Sequence, residues 1–106
     1  MKLTREECIT ESIELWTWLA EMGKEKKDWP GWEQYGGCDE VYGGCFLCEY
    51  TSRKYTSRAC DICPYFEHFG VACFAARTPY SKWCSANREG TKKKYAQQFL
   101  EQLKQL

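Results

Sequence analysis

Apolar residues recur at helical spacing at both ends of the chain and follow no regular period between them. Near the start, Ile9, Ile13, Trp16 and Ala20 share a stripe flanked by Cys8, Leu15 and Leu19, while Glu7, Glu11, Glu14, Glu21 and Glu25 fill the other side. Thr4-Arg5-Glu6-Glu7 fits a capping box, in which a hydroxyl and a carboxylate satisfy the free N–H groups of a helix start, and Gly23 fits a stop. The pattern predicts a helix over 4–23. Near the end, Tyr95, Phe99 and Leu103 form a second stripe with Ala96, Leu100 and Leu106 beside it, predicting a helix over 91–106. Neither helix is long enough to be stable alone in water. They are expected to pack together, with Ile13, Trp16 and Leu19 meeting Phe99, Leu100 and Leu103.

The middle reads differently. Residues 24–44 look irregular, with a turn at Trp29-Pro30-Gly31-Trp32 and a small repeat, Tyr35-Gly36-Gly37-Cys38 and Tyr42-Gly43-Gly44-Cys45. A second repeat, Tyr50-Thr51-Ser52-Arg53 and Tyr55-Thr56-Ser57-Arg58, has the Tyr and Thr content of strands and predicts a short hairpin with its tip at Ser52-Arg53-Lys54. Pro64 suits the first turn of a short helix to about Phe69, ended by Gly70. Residues 71–90 are expected to hold little regular structure.

Cysteine spacing carries the strongest chemical signal. Cys45-x2-Cys48 and Cys60-x2-Cys63 are two C-x2-C knuckles separated by a short segment. Such a pair can present four thiolates tetrahedrally to one structural zinc ion. A knuckle, a hairpin and a second knuckle at a helix start is the order of a treble-clef or ribbon-like finger with four cysteine ligands. The predicted fold is therefore a small α+β zinc-binding domain over residues 1–106, with the finger at 45–70 and the two terminal helices flanking it. Cys73, His68 and Cys38 stand in reserve as ligands. Cys8 reads as a small core residue.

Eight cysteines would also suit a disulfide framework. The acidic, weakly apolar N-terminal residues lack the pattern of a secretory leader, which points to a reducing cytoplasm, where C-x2-C pairs bind metal. Apolar residues make up 43% and aromatic residues 16%, enough for a modest core. The net charge of zero hides an asymmetry: residues 1–50 carry five Lys/Arg against eleven Asp/Glu, and residues 51–106 ten against four. That pattern suits either two halves attracting each other or a basic surface for an acidic partner.

A Thr-Arg-Glu-Glu helix start is followed by Cys45-Phe46-Leu47-Cys48, Cys60-Asp61-Ile62-Cys63-Pro64, a further Cys73, Trp83 and an amphipathic C-terminal helix. Taken together, this pattern resembles small zinc-finger-like proteins encoded by tailed bacteriophages. The resemblance implies a phage origin and a host-cell cytoplasmic setting, and no activity. The chain departs from the pattern at Tyr65, where Leu usually follows the Pro, and in its extra Cys8, Cys38 and Cys84.

Four thiolates leave zinc no open position for catalysis, and one His is too few for a finger-type nuclease. The reading is a non-catalytic binding module that engages a host or phage protein, with Trp29, Trp32, Tyr35 and Tyr42 as the contact surface. The same aromatics equally suit the core of a chain short of aliphatic residues. One alternative is a nucleic-acid-binding finger using Arg53, Lys54, Arg58, Lys92, Lys93 and Lys94, although the acidic first half opposes strong nonspecific binding. The other is a thiol redox protein, for which no thioredoxin-like βαβ pattern is present.

Overall fold

In the computed structural model, which describes residues 3–41, 45–52 and 63–106, five α-helices follow in order: α1 (Arg5–Met22), α2 (Phe46–Ser52), α3 (Pro64–Phe69), α4 (Pro79–Ser85) and α5 (Glu89–Leu103). Short 3-10 turns at Lys26–Asp28, Pro30–Tyr35 and Cys38–Glu40 join α1 to α2. Among the described residues there is no strand, so the α+β fold with a treble-clef or ribbon-like hairpin finger is overturned: the architecture is all-helical. Tyr50, Thr51 and Ser52, expected to enter a hairpin, form the last turn of α2. Residues 53–58 lie outside the described residues. The reason is tertiary. Winding Phe46–Ser52 into a helix buries Phe46, Leu47 and Thr51, and that burial outweighs a weak β preference. Thr51 adapts by donating its hydroxyl to the Cys48 carbonyl at 3.1 Å.

Local chemistry sets the helix ends. At α1, the Thr4 hydroxyl accepts from the Glu7 N–H at 3.1 Å and Glu7 Oε1 accepts from the Thr4 N–H at 3.0 Å, a complete capping box. Gly23 closes α1 at φ 67°, its N–H bonding the Leu19 carbonyl at 2.9 Å. The buried face of α1 is Cys8, Ser12, Leu15, Trp16 and Leu19, with Ile9, Ile13 and Ala20 half-buried beside it. This face is rotated from the Ile9–Ile13–Ala20 stripe because α1 packs against both α5 and α2.

Two aromatic clusters fill the core. In the first, Trp16 meets Phe99 of α5 at 4.7 Å and Trp83 of α4 at 4.9 Å, both edge to face. In the second, Trp32 stacks on Phe46 at 5.2 Å while Trp29 meets Trp32 edge-on at 5.1 Å. Trp32 Nε1 donates to the Lys26 carbonyl at 2.6 Å, fixing the turns to each other. Helix α3 is held to α5 by the Tyr65 hydroxyl, 2.8 Å from Gln102 Oε1. Residues 79–85, expected to be irregular, form α4: Thr78 caps it by accepting from the Ser81 N–H at 3.2 Å, and Pro79 takes the first position.

Candidate metal centre

Three segments bring cysteines together beneath α1. Cys45 immediately precedes α2 and Cys48 lies in its first turn, so the C-x2-C spacing folds back on itself: the Cys48 N–H points at Cys45 Sγ, 3.4 Å away. Cys63 is the residue that precedes α3, where Pro64 begins the helix. Gly70, at φ 74°, ends α3 and turns the chain into the loop that carries Cys73. Cys48, Cys63 and Cys73 line one cavity of about 40 Å³ together with Phe66 and Phe74. Cys45 and Cys73 line a second, smaller one floored by Trp16 and Phe99. No disulfide joins any described cysteine. Cys60, the fourth expected ligand, lies outside the described residues.

The thiols act on one another electrostatically. The Cys45 thiol is pushed down chiefly by a hydrogen bond from the Cys48 thiol; burial opposes the shift, and the Lys26 charge and nearby backbone N–H groups assist it. Cys48 is pushed up by the same bond, by burial, and by the charges of Cys45, Cys73 and Cys63. Cys8, fully buried, is pushed up to about 12, first by burial and then by Cys63 and Cys45, and its thiol donates to the Arg5 carbonyl at 3.1 Å. Burial therefore keeps Cys8 as a neutral thiol. Among the described residues, no three His, Cys, Asp or Glu side chains are already gathered closely enough to hold a metal ion. The donor chemistry nonetheless fits zinc: soft sulfur ligands from two helix starts, with the Cys45 thiolate favoured by its bond from Cys48.

The other candidate residues are scattered. His68 is exposed and leans on Phe69 at 4.6 Å. Cys38 is half-buried in a separate cleft with Cys84. Trp29 and Trp32 are core residues, 8% and 3% exposed, and Tyr35 packs half-buried on Phe46 at 5.2 Å. Tyr42, Arg53, Lys54 and Arg58 lie outside the described residues. Lys92 is buried, its ammonium 4.1 Å over the Trp83 ring; Lys93 pairs with Glu89 at 3.5 Å; Lys94 sits 5.4 Å over the Tyr95 ring. Three adjacent lysines thus take three different environments instead of one basic face.

Sequence reasoning missed Lys26, whose ammonium reaches the Tyr80 hydroxyl at 3.2 Å, and the pair Val71 and Phe74, 44% and 63% exposed, on the loop that bears Cys73. The loop offered only Cys73 as a signal; nothing local marked Lys26. No helix among the described residues is long and apolar enough to cross a membrane. Comparison with protein-family models, curated proteins and solved structures finds no match to the chain.

Proposed function

We propose that the chain is a zinc-stabilised, non-catalytic binding module whose partner is a phage or host protein. The observation that supports the reading is that Cys48, Cys63 and Cys73, from three segments, line one cavity, and Cys45 and Cys73 line a second. Cys45, Cys48 and Cys63 supply three ligands, and Cys60 or Cys73 the fourth. When bound, zinc would cross-link α2, α3 and the loop after α3, adding to the burial of Phe46, Leu47 and Tyr65 that already seats the two helices. The same loop offers Val71 and Phe74 outward. It is kept in shape by the Thr78 hydroxyl, within 2.6 Å of the Cys73 carbonyl and 2.8 Å of the Ala75 carbonyl.

Elemental analysis of the purified protein should find about one zinc per chain. Cys48→Ser and Cys63→Ser should lose the metal and the cooperative fold, while Cys84→Ser, at an exposed position, should keep both. Comparing Cys60→Ser with Cys73→Ser identifies the fourth ligand. A chain that stays cooperatively folded after chelation in reducing buffer overturns the reading. Capture of a phage or host protein by the wild type but not by zinc-replete Phe74→Ser supports the partner surface; unchanged capture refutes it.

One observation favours a thiol redox reading, namely the Cys48 N–H standing 3.4 Å from Cys45 Sγ, in a pair where Cys45 is pushed down by its bond from Cys48. Rapid alkylation of Cys45 in the protein as isolated, with a reversible Cys45–Cys48 disulfide and no zinc, selects it.

A further inference from the structure

A cleft of about 710 Å³ opens where the Lys26–Asp28 turn faces α4 and α5, sharing Lys26 and Tyr80 with the smaller cavity that Cys45 and Cys73 line. Its size falls within the range of small-molecule sites, about 300–1,000 Å³. Lys26, Lys27 and Lys92 line it, with Glu25 as the only acidic side chain in the lining among the described residues. Tyr80 and Trp83 form an aromatic wall, their rings roughly parallel at 6.2 Å.

Each lysine is placed differently. Lys26 is half-buried and fixed by the Tyr80 hydroxyl at 3.2 Å. Lys92 is 9% exposed, an unusual burial for an ammonium, and stands 4.1 Å over the Trp83 ring. Its polar contacts are long: 3.4 Å to the Trp83 carbonyl and 3.3 Å to Glu25 Oε1. Lys27 is exposed at the rim. Glu25, whose side chain is 53% exposed, shows where an anion sits on Lys92 and is free to swing into solvent. The Trp83 indole N–H is buried and has no hydrogen-bond partner among the described residues, so the same wall holds an unspent donor.

We infer that this cleft binds a small molecule bearing a phosphate group, either a phosphate monoester or free phosphate, which displaces Glu25 from Lys92 and is held by the three ammonium groups. Lysines are point charges without the planar fork that suits a carboxylate, and three ammonium groups lining one cleft suit the multiple charge of a phosphate better than a single carboxylate. Cys45, Cys48, Cys63 and Cys73 do not line the cleft, and the phosphate test needs no metal, although Lys26 and Tyr80 also line the cavity of Cys45 and Cys73.

The test is a titration of the full-length protein, isotopically labelled, with inorganic phosphate and with phenyl phosphate at constant ionic strength. The Trp83 indole N–H signal, identified by its loss in Trp83→Phe, is followed. It should shift saturably with at least one probe. Lys26→Gln/Lys27→Gln, changed at a half-buried and an exposed position and checked for an unaltered spectrum elsewhere, should weaken binding about tenfold, the scale of one charge-assisted hydrogen bond. Glu25→Gln should tighten it. Tighter binding of phenyl phosphate assigns a monoester; equal binding assigns free phosphate. The inference is overturned if neither probe saturates, if the shifts follow Lys93, Lys94 and Lys104 equally, or if the double variant binds as the wild type does.

Discussion

Trp16→Ala tests whether the helical core, rather than the proposed metal site alone, holds the fold. Trp16 is 4% exposed and touches three rings edge-on: Phe99 at 4.7 Å, Trp83 at 4.9 Å and Tyr80 at 5.7 Å. It therefore ties α1 to α4 and α5 at once. A buried Trp removes about 200 Å² from water, and at about 25 cal/mol per Å² this is roughly 5 kcal/mol. Residual compactness of the unfolded chain lowers the figure to about 3–4 kcal/mol. Each edge-to-face contact adds about 0.5–1.5 kcal/mol, but the three share one ring and do not sum. The expected loss is about 4 kcal/mol, a large share of the roughly 5–15 kcal/mol that holds a small domain. Urea unfolding of the protein as purified, followed by far-UV circular dichroism, measures it. Glu14→Ala, on the exposed side of α1, is the control and should change stability by less than about 0.5 kcal/mol. A Trp16→Ala loss below about 1.5 kcal/mol with an unchanged urea slope would show that this ring is not the hub of the core.

Gly23→Ala should cost about 1–3 kcal/mol, because Gly23 sits at φ 67° and an added methyl would press on the Glu89 side chain and lie 2.9 Å from its carbonyl oxygen; a neutral result in a thermal melt refutes the close approach of α1 and α5 there. Thr78→Val should cost about 1–2 kcal/mol by removing the α4 cap and the tie to the Cys73 carbonyl, with amide shifts concentrated in residues 73–82; shifts spread evenly along the chain would deny that role. Tyr35, Tyr65 and Tyr80 are each pushed up from 10.0, mainly by burial. The unfolded chain then releases these protons first, so the stability they contribute is complete below about pH 10 and is lost as pH rises above it. Absorbance at the tyrosinate band should show these three ionising only as the chain unfolds; full, reversible ionisation near pH 10 with an intact helical spectrum contradicts it.

The ends of several elements are written locally. Thr4 and Glu7 can cap only a helix that starts where α1 starts. Gly23 and Gly70 supply the left-handed turns that close α1 and α3, and Pro64 opens α3. Thr78-Pro79 carries a similar start signal for α4, legible in the sequence although residues 71–90 read as irregular. The C-x2-C spacing likewise places Cys45 beside Cys48, because one helical turn separates them. What lies beyond the nearest turn was decided elsewhere. Tyr50-Thr51-Ser52 has the composition of a strand, yet it is helical because Phe46 and Leu47 find Trp32 and the core only in that conformation. Trp29 and Trp32 look the same in sequence whether they face a partner or the interior; Phe46, arriving from farther along the chain, buries them. Cys73 joins Cys48 and Cys63 only because the chain reverses after Gly70. Lys92 differs from Lys93 and Lys94 only because α4 folds back to set Trp83 beneath its ammonium. Periodicity and capping are short-range steric and hydrogen-bonding properties, so the sequence alone sets them. Which face meets which, and therefore which thiols and ammonium groups converge, depends on contacts between residues far apart in the chain, and only the packed tertiary structure decides those.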